Sequence, residues 1–168
     1  MLTTLFFAVI TFVAIVSAIL VITCKNPINS ALSLILTFFC LATYYVMLDA
    51  PFVATVQVMV YAGAIMVLIV FTIMLLNIRV DATKKHSHKI VLGSIIGFFT
   101  LINAVFLLLK SRASLPTGPY NAEMINKIGH TELIGREMFT TFLLPFEITS
   151  ILLLVAIVGA VIIAKKKL

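Results

Sequence analysis

Apolar residues run through this chain in five long blocks, and nearly every charged residue falls in the stretches between or after them. The blocks cover about 2–24, 27–48, 52–76, 90–109 and 139–164. Lys25 and Asn26 close the first, and Pro27 opens the second, where a proline's missing N–H costs a helix nothing. Asp49 and Pro51 mark the next break, and the third block carries no charge at all. Lys89 and Lys110 bracket the fourth, and Lys165, Lys166 and Lys167 follow the fifth. At 1.5 Å of rise per residue, each block is long enough to cross ~30 Å of hydrocarbon as a helix. The strict alternation of a membrane β-barrel strand is missing. The pattern predicts an all-α integral membrane protein, a single membrane domain of five transmembrane helices over residues 1–168.

The loop charges orient it. Lys and Arg collect on the inner side of a membrane. With the N-terminus outside, the inner regions hold Lys25, Arg79, Lys84, Lys85, Lys89 and the three C-terminal lysines, and the outer ones hold Lys110, Arg112, Lys127 and Arg136. That bias of eight to four predicts N-out and C-in. It leaves 110–138 as an outside loop, the one sizeable aqueous segment. Its start, 114–119, is rich in turn residues, and 121–134 has the pattern of a short amphipathic helix lying at the interface.

Composition agrees with the class. Hydrophobic residues make up 62% of the chain and charged residues 11%, against about 25% in soluble domains. The net charge of +6 resides in the loops, so it speaks for topology and not for nucleic-acid binding. Val16-Ser17-Ala18 resembles a signal-peptide cleavage site, but no Lys or Arg precedes the run, which continues to about Cys24; it reads as a retained helix. Cys24 and Cys40 are far apart and form no CxxC pair, which leaves them as small apolar residues of a helix bundle.

Little in the chain carries chemistry by itself. Glu147 is the one acid inside an apolar block, two residues after Pro145 and three before Ser150. An acid in a span is a functional candidate, either as a proton-accessible carboxyl or as a bridge to a neighbouring subunit. In the third block Gln57, Tyr61, Ala64, Leu68 and Thr72 recur at helical spacing and form a weakly polar stripe. Ala62-Gly63-Ala64 lies within it, and Gly63 permits close helix approach or a departure from α geometry. On the residues alone this stripe reads as a buried packing face. Gly93 and Gly97 form a GxxxG packing signal. His86 and His88 form HxH in a Lys-rich loop with no further metal ligand nearby, and His130 adds none. There is no phosphate loop, nucleotide fingerprint or nucleophile–base motif, and no internal repeat of the kind transporters use.

Three segments carry a family resemblance: NPINSALSL at 26–34, VQVMVYAGAIMVLIVFTIMLLN at 56–77 and LLPFEITSILLLVAIVGA at 143–160. With five blocks and this length, the chain resembles subunit J (chain 6 in mitochondria) of the proton-translocating NADH:quinone oxidoreductases, respiratory complex I. The resemblance covers nearly the whole chain apart from the loops at 81–89 and 110–137. YAGAI is its most specific part.

That resemblance implies a membrane-arm subunit in an energy-transducing membrane, such as a bacterial inner membrane. Flavin, iron–sulfur clusters and quinone are then expected in partner subunits, and no cofactor in this chain. The partners are other membrane-arm subunits, including the quinone-site subunit and small helical neighbours, together with the lipid bilayer. It further implies a π-bulge in the third helix at about 60–67, involving Val60, Tyr61, Gly63, Ala64, Met66 and Val67. Its conversion to regular α-helix would turn the downstream part, with Thr72, relative to Gln57, and so gate a water path. Two alternatives remain: a purely structural subunit needed for assembly, and the equivalent subunit of a ferredoxin-linked relative.

Overall fold

A computed structural model describes residues 1–76, 87–110 and 122–165. His86 and the turn-rich segment 114–119 lie outside them. The described residues form helices and turns without strands: α1 (Leu2–Thr23), α2 (Pro27–Met47), a third helix in three parts, α5 (Ser87–Lys110), α6 (Ala122–Ile128), α7 (His130–Met138) and α8 (Leu143–Ala164). The three parts of the third helix are α3 (Pro51–Val56), a π-helix over Gln57–Ile65 and α4 (Met66–Leu76). Among the described residues four helices are long and apolar enough to cross a membrane: Leu2–Thr23, Pro27–Met47, Pro51–Leu76 and Leu143–Ala164. Within α5 the described apolar stretch is shorter, Gly93–Leu107. The molecule is an all-α membrane protein, as the apolar blocks predict.

The chain divides into two units, residues 1–49 with 53–117, and residues 50–52 with 118–168. In the first, α1 and α2 form a hairpin. Asn26 caps α2 by accepting the N–H of Ile28 at 2.9 Å, and Pro27 occupies the first helical position, where no N–H is needed. Hydroxyls hold the hairpin together at three levels. Ser30 donates to the carbonyl of Val21. The hydroxyls of Ser17 and Thr37 lie 2.8 Å apart. Tyr44 donates to Thr11 at 3.0 Å, and its ring packs on Phe7 with centroids 5.6 Å apart. Ser30, Thr37 and Tyr44 recur every seven residues, so they share one face of α2. Lipid offers no water to compete for these groups and little hydrophobic drive between helices, so such bonds and close packing define the register. Ser17 is 1% exposed, and Ala31, Cys40 and Ala42 are the buried small residues of α2.

In the second unit, α6 and α7 occupy the stretch whose pattern predicts one amphipathic helix. Gly129, at φ 99°, separates them, a backbone conformation that side chains with a Cβ rarely adopt. Leu133 is the buried residue of α7, while Arg136 and Glu132 pair across one turn on its outer side at 2.8 Å. The N–H of Phe142 then donates to the carbonyl of Glu137 at 2.9 Å, and a turn leads into α8. The ring of Phe139 packs at a tilt of 60° against Phe146, in the first turns of α8, with centroids 4.9 Å apart.

Candidate functional site

The third helix is not uniformly α. Over nine residues, Gln57–Ile65, its hydrogen-bond ladder runs to the fifth residue back, and at the far end the N–H of Met66 donates to the carbonyl of Tyr61. π-Helices are rare, mostly single-turn bulges, and frequently mark functional sites. α-Helix flanks this one on both sides.

Side-chain burial follows the altered ladder. Ala54, Gln57, Ala62 and Met66 are the buried residues of this helix, at successive steps of three, five and four. A five-residue step fits no α-helical face. It is the extra residue of the wider turn, and it lets one buried face continue across the segment. The π-helix and α4 both pack on α2. Gln57 is 7% exposed and Met66 1%. Tyr61, 46% exposed, reaches the ring edge of Phe38 on α2, with centroids 6.0 Å apart.

Of the residues that the sequence singles out, Gln57, Val60, Tyr61, Gly63 and Ala64 lie inside the π-helix, and Met66 and Val67 begin α4. The stripe from Gln57 to Thr72 does not form one buried face. Gln57 is buried, but Tyr61, Ala64, Leu68 and Thr72 are exposed. The Thr72 hydroxyl donates to the carbonyl of Leu68 at 2.8 Å, which satisfies it within its own helix. Gly63 has a definite steric role. A Cβ placed on it would lie 3.2 Å from the carbonyl oxygen of Val58, five residues back, closer than ordinary contact.

Glu147 lies on α8, in the second turn. The helix begins at Leu143, after turns over 139–142, so Glu147 is about 6 Å along the axis from its start. Pro145 is then a third-position residue, whose missing N–H is one of the unpaired first-turn donors in any helix. It therefore breaks no hydrogen bond in the interior of the helix. Glu147 is exposed. Ser150 and Thr149 spend their hydroxyl protons on the carbonyls of Glu147 and Pro145, both at 2.8 Å.

The hydroxyl contacts of the hairpin and the Phe38–Tyr61 contact are absent from the sequence reading. The seven-residue recurrence of Ser30, Thr37 and Tyr44 was the available signal for the first. Nothing local announces the second.

Taken together, these features define a multi-pass helical membrane protein. Its irregularity lies in the backbone of one span, and among the described residues no cluster of His, Cys, Asp and Glu gathers as a metal site. The chain belongs to the NADH-ubiquinone/plastoquinone oxidoreductase chain 6 family, whose profile matches residues 17–163. It is 42% identical over 144 residues to the chloroplast NAD(P)H-quinone oxidoreductase subunit 6 of Staurastrum punctulatum, covering 84% of this chain and 78% of that one. It is 38% identical to the Zygnema circumcarinatum subunit 6, over 97% and 92% of the two chains. A cyanobacterial relative, NAD(P)H-quinone oxidoreductase chain 6 of Synechocystis, is 36% identical over 96% of this chain and 80% of its own. The family resemblance of the three sequence segments is thereby borne out.

Proposed function

We propose that this chain is a membrane-arm coupling subunit of a proton-pumping NADH:quinone oxidoreductase, and that its third helix is the moving part. The supporting observation is the nine-residue π-helix at Gln57–Ile65 between two α-helical segments. Two backbone arrangements of similar free energy are what a switch needs. Removing one residue from the wide turn rotates everything downstream by about 100°. Leu68 and Thr72, both exposed on α4, then exchange places with neighbours relative to Gln57, which is buried on the upstream side. Bulky apolar side chains break a water wire and small or polar ones complete it. Such a rotation thus couples a backbone change to proton access.

The chain works in an energy-transducing membrane, as a bacterial inner membrane is, and crosses it five times with its N-terminus outside. Flavin, iron–sulfur clusters and the quinone site belong to partner subunits, as do the neighbouring membrane-arm helices. Four cysteine ligands are the usual requirement of a cluster, and this chain has two cysteines.

Gly63→Val tests the switch in membranes holding the whole complex. The complex is expected to assemble, and quinone reduction coupled to proton translocation to fall sharply. Electron transfer from the donor to an artificial acceptor, which bypasses the membrane arm, should persist. Full coupled turnover in an assembled variant would refute the switch. Loss of the complex itself would leave the assembly role standing alone.

A further inference from the structure

Glu147 poses a problem that its own helix does not solve. A carboxylate only accepts hydrogen bonds, and it needs several donors when taken from water. The two nearby hydroxyls give their protons to backbone carbonyls. Among the described residues no side chain pairs with Glu147. Around it the surface is apolar. Leu143, Ile151, Leu154 and Val158 follow at helical spacing on the same face, and all are exposed. None of the residues of α8 is buried, and among the described residues of its unit the helix packs on α7, with Phe146 against Phe139 ahead of its first turn. The opposite face carries Ala156 and Ala160, and its Thr149 is bonded to the carbonyl of Pro145.

An acid on an apolar span is stabilised best by an opposite charge beside it. We infer that the Glu147 face of α8 docks a transmembrane helix of a neighbouring subunit, which presents a lysine or arginine level with Glu147. The run of Leu143, Ile151, Leu154 and Val158 supplies the apolar length that a second helix packs along, and Glu147 supplies its register. A single charge pair within an apolar interface is a strong register device, because a shift of one turn leaves both charges unpaired. The inference rests on membership in a multi-subunit assembly and does not depend on the third-helix switch.

The test uses the whole complex in its membranes. A benzophenone amino acid in place of Ile151 is photolysed, and the captured peptide is identified. The expected adduct is a membrane segment of one other subunit, with a Lys or Arg within a turn of the captured residue. Glu147→Lys should lower the assembled amount at least about tenfold, the size of a 1.4 kcal/mol change. Exchanging the partner's basic residue for Glu in that background should restore it. Adducts with lipid only, capture of a segment without a basic residue, undiminished assembly in Glu147→Lys, or failure of the exchanged pair to rescue would each overturn the inference. All the readouts are adduct and assembly. Failure here therefore leaves the coupled-turnover behaviour of third-helix variants untouched, and the two readings fail separately.

Discussion

A Cβ on Gly63 would stand 3.2 Å from the carbonyl oxygen of Val58, and those two residues are one π-turn apart. The contact exists because the wide turn brings the fifth carbonyl back under the glycine. Substitution at Gly63 therefore acts against the π arrangement. Gly63→Ala forces a shift of a few tenths of an ångström. Gly63→Val adds a β-branched side chain with a stiff χ1. Overpacking of this kind costs on the order of 1–3 kcal/mol. A balanced equilibrium then moves about five- to a hundredfold toward the α arrangement. Coupled quinone reduction per assembled complex should fall in the order Gly63, Ala, Val. Equal turnover in all three would remove Gly63 from the mechanism.

The hairpin makes a contrasting prediction. Thr37→Val keeps shape and removes the hydroxyl that meets Ser17 at 2.8 Å. Interhelical bonds of this kind contribute about 0.6 kcal/mol, and up to about 1.7. The variant complex should dissociate at slightly lower detergent or temperature, while turnover per assembled complex stays at the parental value. A loss of turnover without a loss of stability would place Thr37 in the proton path instead.

The helical class and the apolar blocks were legible because burial in lipid demands about 20 apolar residues for each crossing, and nothing in this chain disguises that signal. The last block shows the limit. Phe139, Thr140, Thr141 and Phe142 extend the apolar run, but they form turns ahead of α8, since hydropathy does not register where the hydrogen-bond ladder starts. The stripe from Gln57 to Thr72 was less legible still. Its reading as a single face assumes 100° per residue throughout, and the step from Gln57 to Ala62 breaks that assumption. Residues alone show that Ala62-Gly63-Ala64 is small enough for such a break. The location at 60–67 came from family resemblance, and the observed π-helix runs Gln57–Ile65. The contact of Phe38 with Tyr61 joins residues 23 apart in the chain, and no local pattern encodes it.

Topology has its own test. Lys25 and Lys127 are exposed, and the positive-inside bias assigns them to opposite faces. In a background without Cys24 and Cys40, Lys25→Cys should react with an impermeant maleimide from the inner side and Lys127→Cys from the outer side. The opposite pattern would invert the chain. Labelling of both from one side would contradict five crossings, because Lys25 and Lys127 are separated by three of them.

The Phe38–Tyr61 contact gives a way to ask whether the π-helix and its packing on α2 form one switch. Tyr61 lies within the π-helix and Phe38 on α2, with the ring edge of one against the other at 6.0 Å. Aromatic pairs of this geometry contribute about 0.5–1.5 kcal/mol beyond their buried area. A 100° turn of the helix would carry Tyr61 off that ring, so the contact belongs to the π arrangement. Phe38→Leu keeps the apolar volume and removes the ring. It should shift the equilibrium toward the α arrangement by about two- to tenfold, in the same direction as Gly63→Ala. Both changes remove support from the same π arrangement, so the double variant should lie further toward the α arrangement than either single variant. The measurement is coupled quinone reduction per assembled complex in the parent, both single variants and the double. A loss in the double variant larger than in either single variant, with constant assembly, means that both residues favour the π arrangement. A Phe38→Leu variant with parental turnover, alone and in combination, means that Tyr61 keeps its place when the backbone changes, and the rotation would then have to be confined to residues beyond it.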